Sequence, residues 1–243
     1  MKMLTFAKRN GIEILRDPLN LAFGLGFPIV LILLLSAIQA SIPVSLFEIQ
    51  HLTPGVTVFG ASFLTLFSAL IIAKDRKSAF LQRLYTTPLR AYDFILGYTV
   101  PMIPIAIAQS VVCYGVALLL GLDFTLNIFL AVLFMLPVSL VFIGLGLLCG
   151  SIFNDKQVGG ICGALLTNLS AWLSGIWFDL ELVGGIFRKV ADLLPFYHAV
   201  ELERALLNGS FDLVLPHLLW VLGYDVIIVS AAVFFFLRQM KNQ

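Results

Sequence analysis

Three polar side chains, those of Gln109, Asn168 and Asp225, lie near the centres of otherwise apolar runs. A charged carboxylate at mid-membrane depth costs roughly 2.5–3.5 kcal/mol on insertion scales, so Asp225 requires a partner, water or a proton. Two interpretations stay open. Asp225 belongs to a polar or proton pathway, or it makes an interhelical hydrogen bond or stays neutral beside Tyr224.

Five further residues have types and spacing that suit an amphiphilic substrate. Phe59, Phe63 and Phe67 recur every four residues, so their rings share one helix face. Asn168 and Trp172 offer a mixed polar and aromatic surface further along the chain. We predict that these five residues line a substrate path. The alternative is that they pack or face lipid, since the chain contains 21 Phe.

The sequence contains none of the common catalytic motifs. It lacks H-E-x-x-H, G-x-S-x-G and the G-x-x-x-x-G-K-[ST] phosphate loop. Its three cysteines, Cys113, Cys149 and Cys162, all fall within apolar runs, which predicts small buried hydrophobes rather than metal ligands. We therefore expect no catalytic residue, cofactor or metal on this chain, and ATP, if it is used, must bind elsewhere.

The composition is that of a membrane protein. Mean hydropathy is +1.02, 60% of residues are hydrophobic and only 12% are charged, whereas soluble domains are about a quarter charged. The net charge of +1 argues against nucleic acid as a partner. The lipid bilayer is the expected environment.

Six apolar runs of about twenty residues are visible, and each is long enough to cross a bilayer core about 30 Å thick. Backbone in lipid must satisfy its own hydrogen bonds, so these runs predict helices and an all-α integral membrane protein with a single domain, 1–243. Pro101, Pro104 and Pro137 predict kinks, or in the third run a broken start. The runs are 19–38, 53–73, 94–120, 126–149, 158–178 and 214–237.

The distribution of Lys and Arg predicts the orientation. With the N-terminus inside, only Arg188, Lys189 and Arg204 fall in outer segments, and the other twelve of the fifteen cations are inside. We therefore expect a multi-pass protein with both termini in the cytoplasm. The first run has no A-x-A-like end and predicts a retained span rather than a cleaved signal peptide.

A charged break between the second and third runs, 74–93, has internal order. Phe80, Leu81, Leu84 and Tyr85 form one apolar helical face, and Thr87-Pro88 ends that helix. This pattern predicts a short amphipathic helix at the cytoplasmic membrane surface. The alternative is a basic loop that only sets topology.

Two other segments predict helices outside the spans. Residues 1–17 mix apolar and basic residues, as in a helix lying in the inner interface. Residues 179–212 alternate short apolar stretches with charges, which predicts two short outer helices, with Asn208-Gly209 as a helix stop. Two small-residue motifs, at Gly146 with Gly150 and at Gly159 with Gly163, predict close helix packing, either inside one bundle or between subunits.

These features resemble the permease subunit of type-2 ATP-binding-cassette (ABC) exporters over essentially the whole chain. LQRLYTTPLRAYDFILGY (81–98) looks like the family's L-x-x-L-x-x-T-P coupling segment. LSGIWFDLE (173–181) looks like its fifth-span exit, with the outer helices following. The chain departs from the family at 75–79, where many members carry a Glu and a Gly-Thr. The outer-helix residues that match are Pro195, His198, Arg204, Leu207 and Gly209.

The resemblance implies six spans, an interfacial N-terminal helix, a cytoplasmic coupling helix and outer re-entrant helices before the last span. It implies two ATPase subunits that bind ATP and Mg, a second permease chain (identical or different), and the inner membrane of a prokaryote. It implies ATPase docking by Phe80, Arg83, Leu84, Thr87, Pro88 and Leu89.

The cargo stays open at this point. A compact permease without a large outer domain suits an amphiphile: a drug, an antimicrobial peptide or a lipid-like molecule. The same family architecture also serves polysaccharide and glycolipid export. Two alternatives from other classes are an ATP-independent secondary transporter that uses Asp225, and an assembly or sensory subunit without cargo.

Overall fold

The computed structural model describes residues 2–43, 45–78, 91–178 and 180–241. In these residues the chain is built from helices and contains no β-strand. In chain order the helices are α1 (Lys2–Leu15), α2 (Pro18–Gln39), α3 (Ile49–Ala61), α4 (Phe63–Lys77), α5 (Ala91–Thr99), α6 (Met102–Leu119), α7 (Asn127–Ile152), α8 (Asp155–Gly160), α9 (Thr167–Leu173), α10 (Leu180–Val183), α11 (Gly185–Leu193), α12 (Pro195–Asn208) and α13 (Phe211–Lys241).

Five segments of the described chain are long and apolar enough to cross a membrane: α2, α3 with α4, α5 with α6, α7, and most of α13. The prediction of an all-helical membrane protein is confirmed. The α3–α4 segment has 83% of its apolar window buried, against 28% for α2 and 22% for α13. The second span is therefore the centre of the bundle, and α2 and α13 lie at its periphery.

The fifth apolar run, 158–178, forms a shorter helical segment than predicted. Helices α8 and α9, joined by a π-helical turn at Ile161–Leu166, cover residues 155–173. Gly175 then has φ of +73°, a left-handed conformation that ends a helix. This segment is not one of the five above, so the sixth span stays a prediction.

Two of the predicted spans are interrupted. The third run is divided at Val100 and Pro101, between α5 and α6, which confirms the predicted broken start. The second run is divided at Ser62, where the hydroxyl donates to the Phe59 carbonyl at 2.6 Å. Helix α7, in contrast, continues through Pro137.

The bundle centre depends on a close approach of α7 to α4. A Cβ atom at Gly146 would overlap the Ser68 side chain, and one at Gly150 would lie 2.7 Å from the Ala69 carbonyl oxygen. The first small-residue motif therefore packs inside this chain. Gly159, in the second motif, has open space around it.

The helices predicted outside the spans are present. Helix α1 buries Phe6, Ala7 and Ile14 against the bundle. Residues 180–208 form three helices, α10, α11 and α12, where two were predicted. The predicted stop is confirmed, because α12 ends at Asn208 and Gly209 caps it with φ of +72°. All three cysteines are buried, as predicted.

Candidate functional site

The residues predicted to dock an ATPase lie outside the described part of the chain. The structure describes both flanks of that segment, since α4 runs to Lys77 and α5 begins at Ala91. The structure therefore shows the contacts that hold these two flanks. The predicted docking residues are Phe80, Arg83, Leu84, Thr87, Pro88 and Leu89.

Asp75, near the end of α4, is the acid to which α1 and α5 both attach. Its side chain is 1% exposed. Its carboxylate accepts a hydrogen bond from Arg9 of α1 at 2.7 Å and one from the Tyr98 hydroxyl of α5 at 2.9 Å. Asn10 of α1 also donates to the Gly97 carbonyl at 3.0 Å. Helix α1 is thus bonded to both flanks of residues 79–90.

Aromatic packing reinforces the same contact. The Phe6 ring lies edge-on to Phe94 and Tyr98, with centroids 5.9 and 5.0 Å away. Gly97 permits this approach, because a Cβ atom there would overlap the Phe6 ring. We call the set Phe6, Arg9, Asn10, Asp75 and Tyr98 the clamp.

One feature of the sequence indicates the clamp, an acidic residue within a basic run. Asp75 is a single acid among Lys74, Arg76 and Lys77, and an acid in a basic run is a candidate for a specific cation from elsewhere. Its partner Arg9 lies 66 positions away. The pairing is therefore a tertiary contact that local patterns do not reveal.

The end of α4 is also tied to the opposite side of the bundle. Arg76 donates to the carbonyls of Gly150 and Phe153 at 2.8 and 3.2 Å, and Lys77 pairs with Asp155 at 2.9 Å. The bond from Lys77 holds the pKa of the exposed Asp155 carboxyl below its usual value. Helix α4 therefore ends between α1 and α5 on one side and α7 and α8 on the other.

The structure separates the five predicted substrate-path residues into two groups. Phe59, Phe63 and Phe67 are buried, with Phe59 and Phe63 in ring contact at 5.7 Å. Asn168 and Trp172 are exposed, Trp172 by 54%. The phenylalanines form packed interior, whereas the other two face outward from α9.

Gln109 connects two helices near the bundle centre. Its side chain is 3% exposed, and its amide nitrogen donates to the Thr57 carbonyl of α3 at 3.1 Å. Its amide oxygen has no hydrogen-bond partner among the described residues. Gln109 therefore joins α6 to α3 and leaves one buried acceptor unfilled.

Asp225 on α13 is buried without a described partner. The residue is 8% exposed, and neither carboxyl oxygen has a hydrogen-bond partner in the described chain. The neighbouring Tyr224 hydroxyl donates instead to the Leu193 carbonyl. The interhelical bond considered for Asp225 is thus absent from the described residues.

Glu203 on α12 is a buried acid that the sequence reasoning missed. It is fully buried and accepts a hydrogen bond from the Tyr114 hydroxyl of α6 at 2.9 Å. Burial raises the pKa of this carboxyl well above its usual value. Its spacing from Val200 and Leu207 places it on the apolar face of α12, which is a readable signal for an unusual acid.

A second polar cluster joins α11, α12 and α13. The Nδ1 atoms of His198 and His217 are 2.9 Å apart, and His198 Nε2 lies 2.8 Å from the Asp192 carbonyl oxygen. That carbonyl requires a proton on Nε2, so His217 Nδ1–H donates to His198 Nδ1 when both rings are neutral. The His198 ring also stacks on Trp220 at 4.7 Å, and burial lowers the His198 pKa.

Comparison with known proteins identifies the family. The sequence model of the ABC-2 type transporter family matches residues 1–208, which is most of the chain. No curated protein matches the chain at a significant level. The matched region contains the clamp, four of the five membrane-spanning segments and all of the outer helices. The chain belongs to the ABC-2 type transporter family and is a multi-pass membrane permease of that family.

Proposed function

We propose that the chain is the permease subunit of an ATP-driven exporter. Two separate ATPase subunits bind ATP and Mg, and they dock on residues 80–89. A second permease chain, identical or different, completes the transporter. ATP-driven closure of the ATPases moves the docking segment, and the spans re-pack to open outward.

The clamp is the observation that supports this proposal best. Residues 79–90 leave α4 at one flank and enter α5 at the other, and α1 is hydrogen bonded to both flanks. A displacement applied to the docking segment therefore reaches three helices at once. A plain topogenic loop needs charge alone and no such buried network.

The proposed topology places α1, the docking segment and the C-terminus in the cytoplasm of a prokaryotic cell, with the permease in the inner membrane. Residues 155–173, in the fifth apolar run, supply the one span that is not among the five segments above. The residues that follow them before α10 complete the crossing of the bilayer. Fifteen cations divide twelve to three in favour of this orientation, which supports it.

The proposed cargo is an amphiphile: a drug, an antimicrobial peptide or a lipid-like molecule. Exposed Asn168 and Trp172 line its path where two permeases meet, and the buried Phe59, Phe63 and Phe67 join the lining only when the spans re-pack. Apolar lining rather than a wide polar channel supports an amphiphile over the alternative cargo, a polysaccharide or glycolipid.

The docking assignment is tested by co-purification with the ATPase encoded beside this chain and by stimulation of its ATP turnover. We expect Leu84→Asp, and separately the pair Thr87→Ala with Pro88→Ala, to reduce both. Leu182→Asp is the matched control, because Leu182 lies on the outer segment and is 82% exposed. Docking variants that bind and stimulate as the wild type does refute the assignment.

A second candidate function is ATP-independent transport through a proton or ion site at Asp225. The two buried, unpartnered carboxyl oxygens favour it. It predicts flux in proteoliposomes that contain this chain alone, abolished by Asp225→Asn. Flux that requires both the ATPase and ATP excludes it, and ATPase binding without any flux points instead to an assembly or sensory subunit.

A further inference from the structure

A cavity of about 620 Å³ opens where the end of α1 meets the end of α4. That volume is within the usual range for small-molecule sites. It is distinct from the docking segment and from the predicted substrate path. Its lining residues are Arg9, Ile12, Glu13, Arg16, Asp17 and Lys74.

The two acids of this cavity are already engaged by the chain. Glu13 pairs with Arg9 at 2.7 Å. Asp17 accepts from the backbone and side-chain nitrogens of Asn20 at 3.3 and 2.7 Å, as the cap of α2. The carboxylates therefore have little capacity left for an incoming cation.

The cations are engaged to a much smaller extent. The Arg16 side chain is exposed and makes no ion pair or hydrogen bond with the described residues. The Lys74 side chain is 49% exposed, and its ammonium lies 3.7 Å from the Asp17 carboxylate, which is beyond hydrogen-bond distance. The cavity thus presents unsatisfied N–H donors from two cations, which is the chemistry that recognises a phosphate group.

Apolar surface surrounds these donors. Ile12 at the cavity and the neighbouring Leu15 and Leu19 are 40%, 67% and 67% exposed. The two cations are therefore bordered by exposed apolar side chains, which suits the interface of a lipid bilayer.

We propose that this cavity binds the phosphate headgroup of an anionic phospholipid. Arg16 and Lys74 bind the phosphate, and the exposed Ile12, Leu15 and Leu19 contact the acyl chains. The assignment to the inner leaflet rests on the proposed orientation. Binding itself depends neither on an ATPase nor on transport.

The test measures lipid binding to the purified chain in a non-ionic detergent, by native mass spectrometry with phosphatidylglycerol as the probe. We expect the double variant Arg16→Gln, Lys74→Gln to weaken the tightest phosphatidylglycerol adduct on the order of tenfold or more. The charge-preserving swap Arg16→Lys, Lys74→Arg retains binding. Lys156→Gln with Lys189→Gln is the matched control, since it removes equal charge from exposed sites elsewhere.

Two further probes separate the possible sources of phosphate. Inorganic phosphate and zwitterionic phosphatidylcholine are each titrated against bound phosphatidylglycerol, and we expect neither to displace it at equal concentration. Displacement by inorganic phosphate overturns the lipid assignment, because the acyl chains then contribute nothing to binding. Equal binding by the Gln double variant and its control overturns the site. Since no ATPase is present, either failure leaves the exporter proposal standing.

Discussion

At the clamp the buried carboxylate of Asp75 has a guanidinium and a phenol as partners, whereas the equally buried carboxyl of Glu203 has a phenol alone. A cation beside a buried carboxylate offsets part of the cost of burying its charge, and a carboxyl without a cation keeps that cost in full. The clamp thus contains an ion pair. The contact between α6 and α12 has a phenol–carboxyl hydrogen bond and no cation among the described residues.

At the clamp an ion pair joins three helices next to the proposed docking segment. The contacts that α12 makes with α6 and α13 instead use a buried acid bonded to a phenol and a pair of imidazoles. The hydrogen bonds of these last groups depend on pH.

Removal of the Asp75 carboxylate has the largest expected effect. Asp75→Ala removes the acceptor that Arg9 and the buried Tyr98 hydroxyl share and leaves Arg9 with Glu13 as its acidic partner, and we expect a loss of about 3 kcal/mol in the free energy of unfolding. Denaturant or thermal unfolding in detergent measures it. Asp75→Asn keeps an acceptor without the charge and should lose nearly as much. A much smaller loss for Asp75→Asn than for Asp75→Ala contradicts a clamp that depends on the ion pair.

Removal of the Glu203 carboxyl comes second. Glu203→Ala leaves the buried Tyr114 hydroxyl without its acceptor and creates a cavity, so we expect a loss of about 2 kcal/mol in the free energy of unfolding. Glu203→Gln still accepts from Tyr114 and should lose under about 1 kcal/mol. Thermal unfolding of both variants at neutral pH makes the comparison, and a large loss for the Gln variant is evidence against a neutral acid.

The pH dependence of the Glu203 variants sharpens the same point. The raised pKa means that the folded protein retains a proton that the unfolded chain releases above about pH 4.3. The unfolding free energy of the wild type therefore falls as pH rises from there towards the folded pKa. We expect Glu203→Gln to remove this contribution, which unfolding curves at several pH values would detect.

The His198–His217 pair contributes a pH dependence of the unfolding free energy that is smaller than that of Glu203 and opposite in sign. Burial lowers the His198 pKa, so the unfolded chain takes up the proton first and stability falls as pH drops below about 6.5. Double protonation also places two Nδ1–H donors face to face. We expect a loss of about 1 kcal/mol between about pH 8 and about pH 5.5.

Thermal unfolding of wild type and His198→Gln over that pH range isolates the contribution of His198. The charged groups that face its ring are Asp192 and Arg188 of α11 and Glu201 of α12, and they remain in the variant. The His217 ring remains as well. An unchanged pH slope in the variant rules out His198 as its source.

Asp225→Asn should have the smallest effect on stability. No described hydrogen bond is lost, so we expect a change within about 1 kcal/mol. ATP-dependent export should also persist in the variant. A selective loss of transport with unchanged stability would instead support the proton or ion site.

Local patterns predicted the helices well because they depend on composition and spacing. The apolar runs predicted the membrane-spanning segments, Pro101 predicted the break in the third run, and Asn208-Gly209 predicted the end of α12. The fifth run was predicted too long, because hydropathy continues past Gly175 although the backbone there turns left-handed. Neither a proline nor an adjacent glycine marks the break at Ser62 in the sequence.

The sites were less predictable because they are tertiary. Arg9 and Asp75 are 66 positions apart, and Tyr114 and Glu203 are 89 apart. Single-sequence spacing relates residues one or two helical turns apart and does not reach such distances. The spacing of Phe59, Phe63 and Phe67 predicted one helix face, but the break at Ser62 leaves Phe59 on α3 and the other two on α4. Spacing alone did not distinguish interior packing from a path.

The break at Val100 and Pro101 makes α5 a separate short rod. It contains nine residues, so at 1.5 Å per residue it is about 13 Å long. A tilt of about 10° about the break would move the Ala91 end of α5, next to the proposed docking segment, by roughly 2 Å, while Tyr98 beside the break moves far less and α6 keeps its direction. Because the helix is broken at Pro101, a small rotation of α5 produces a displacement at its far end that is comparable with the length of one hydrogen bond.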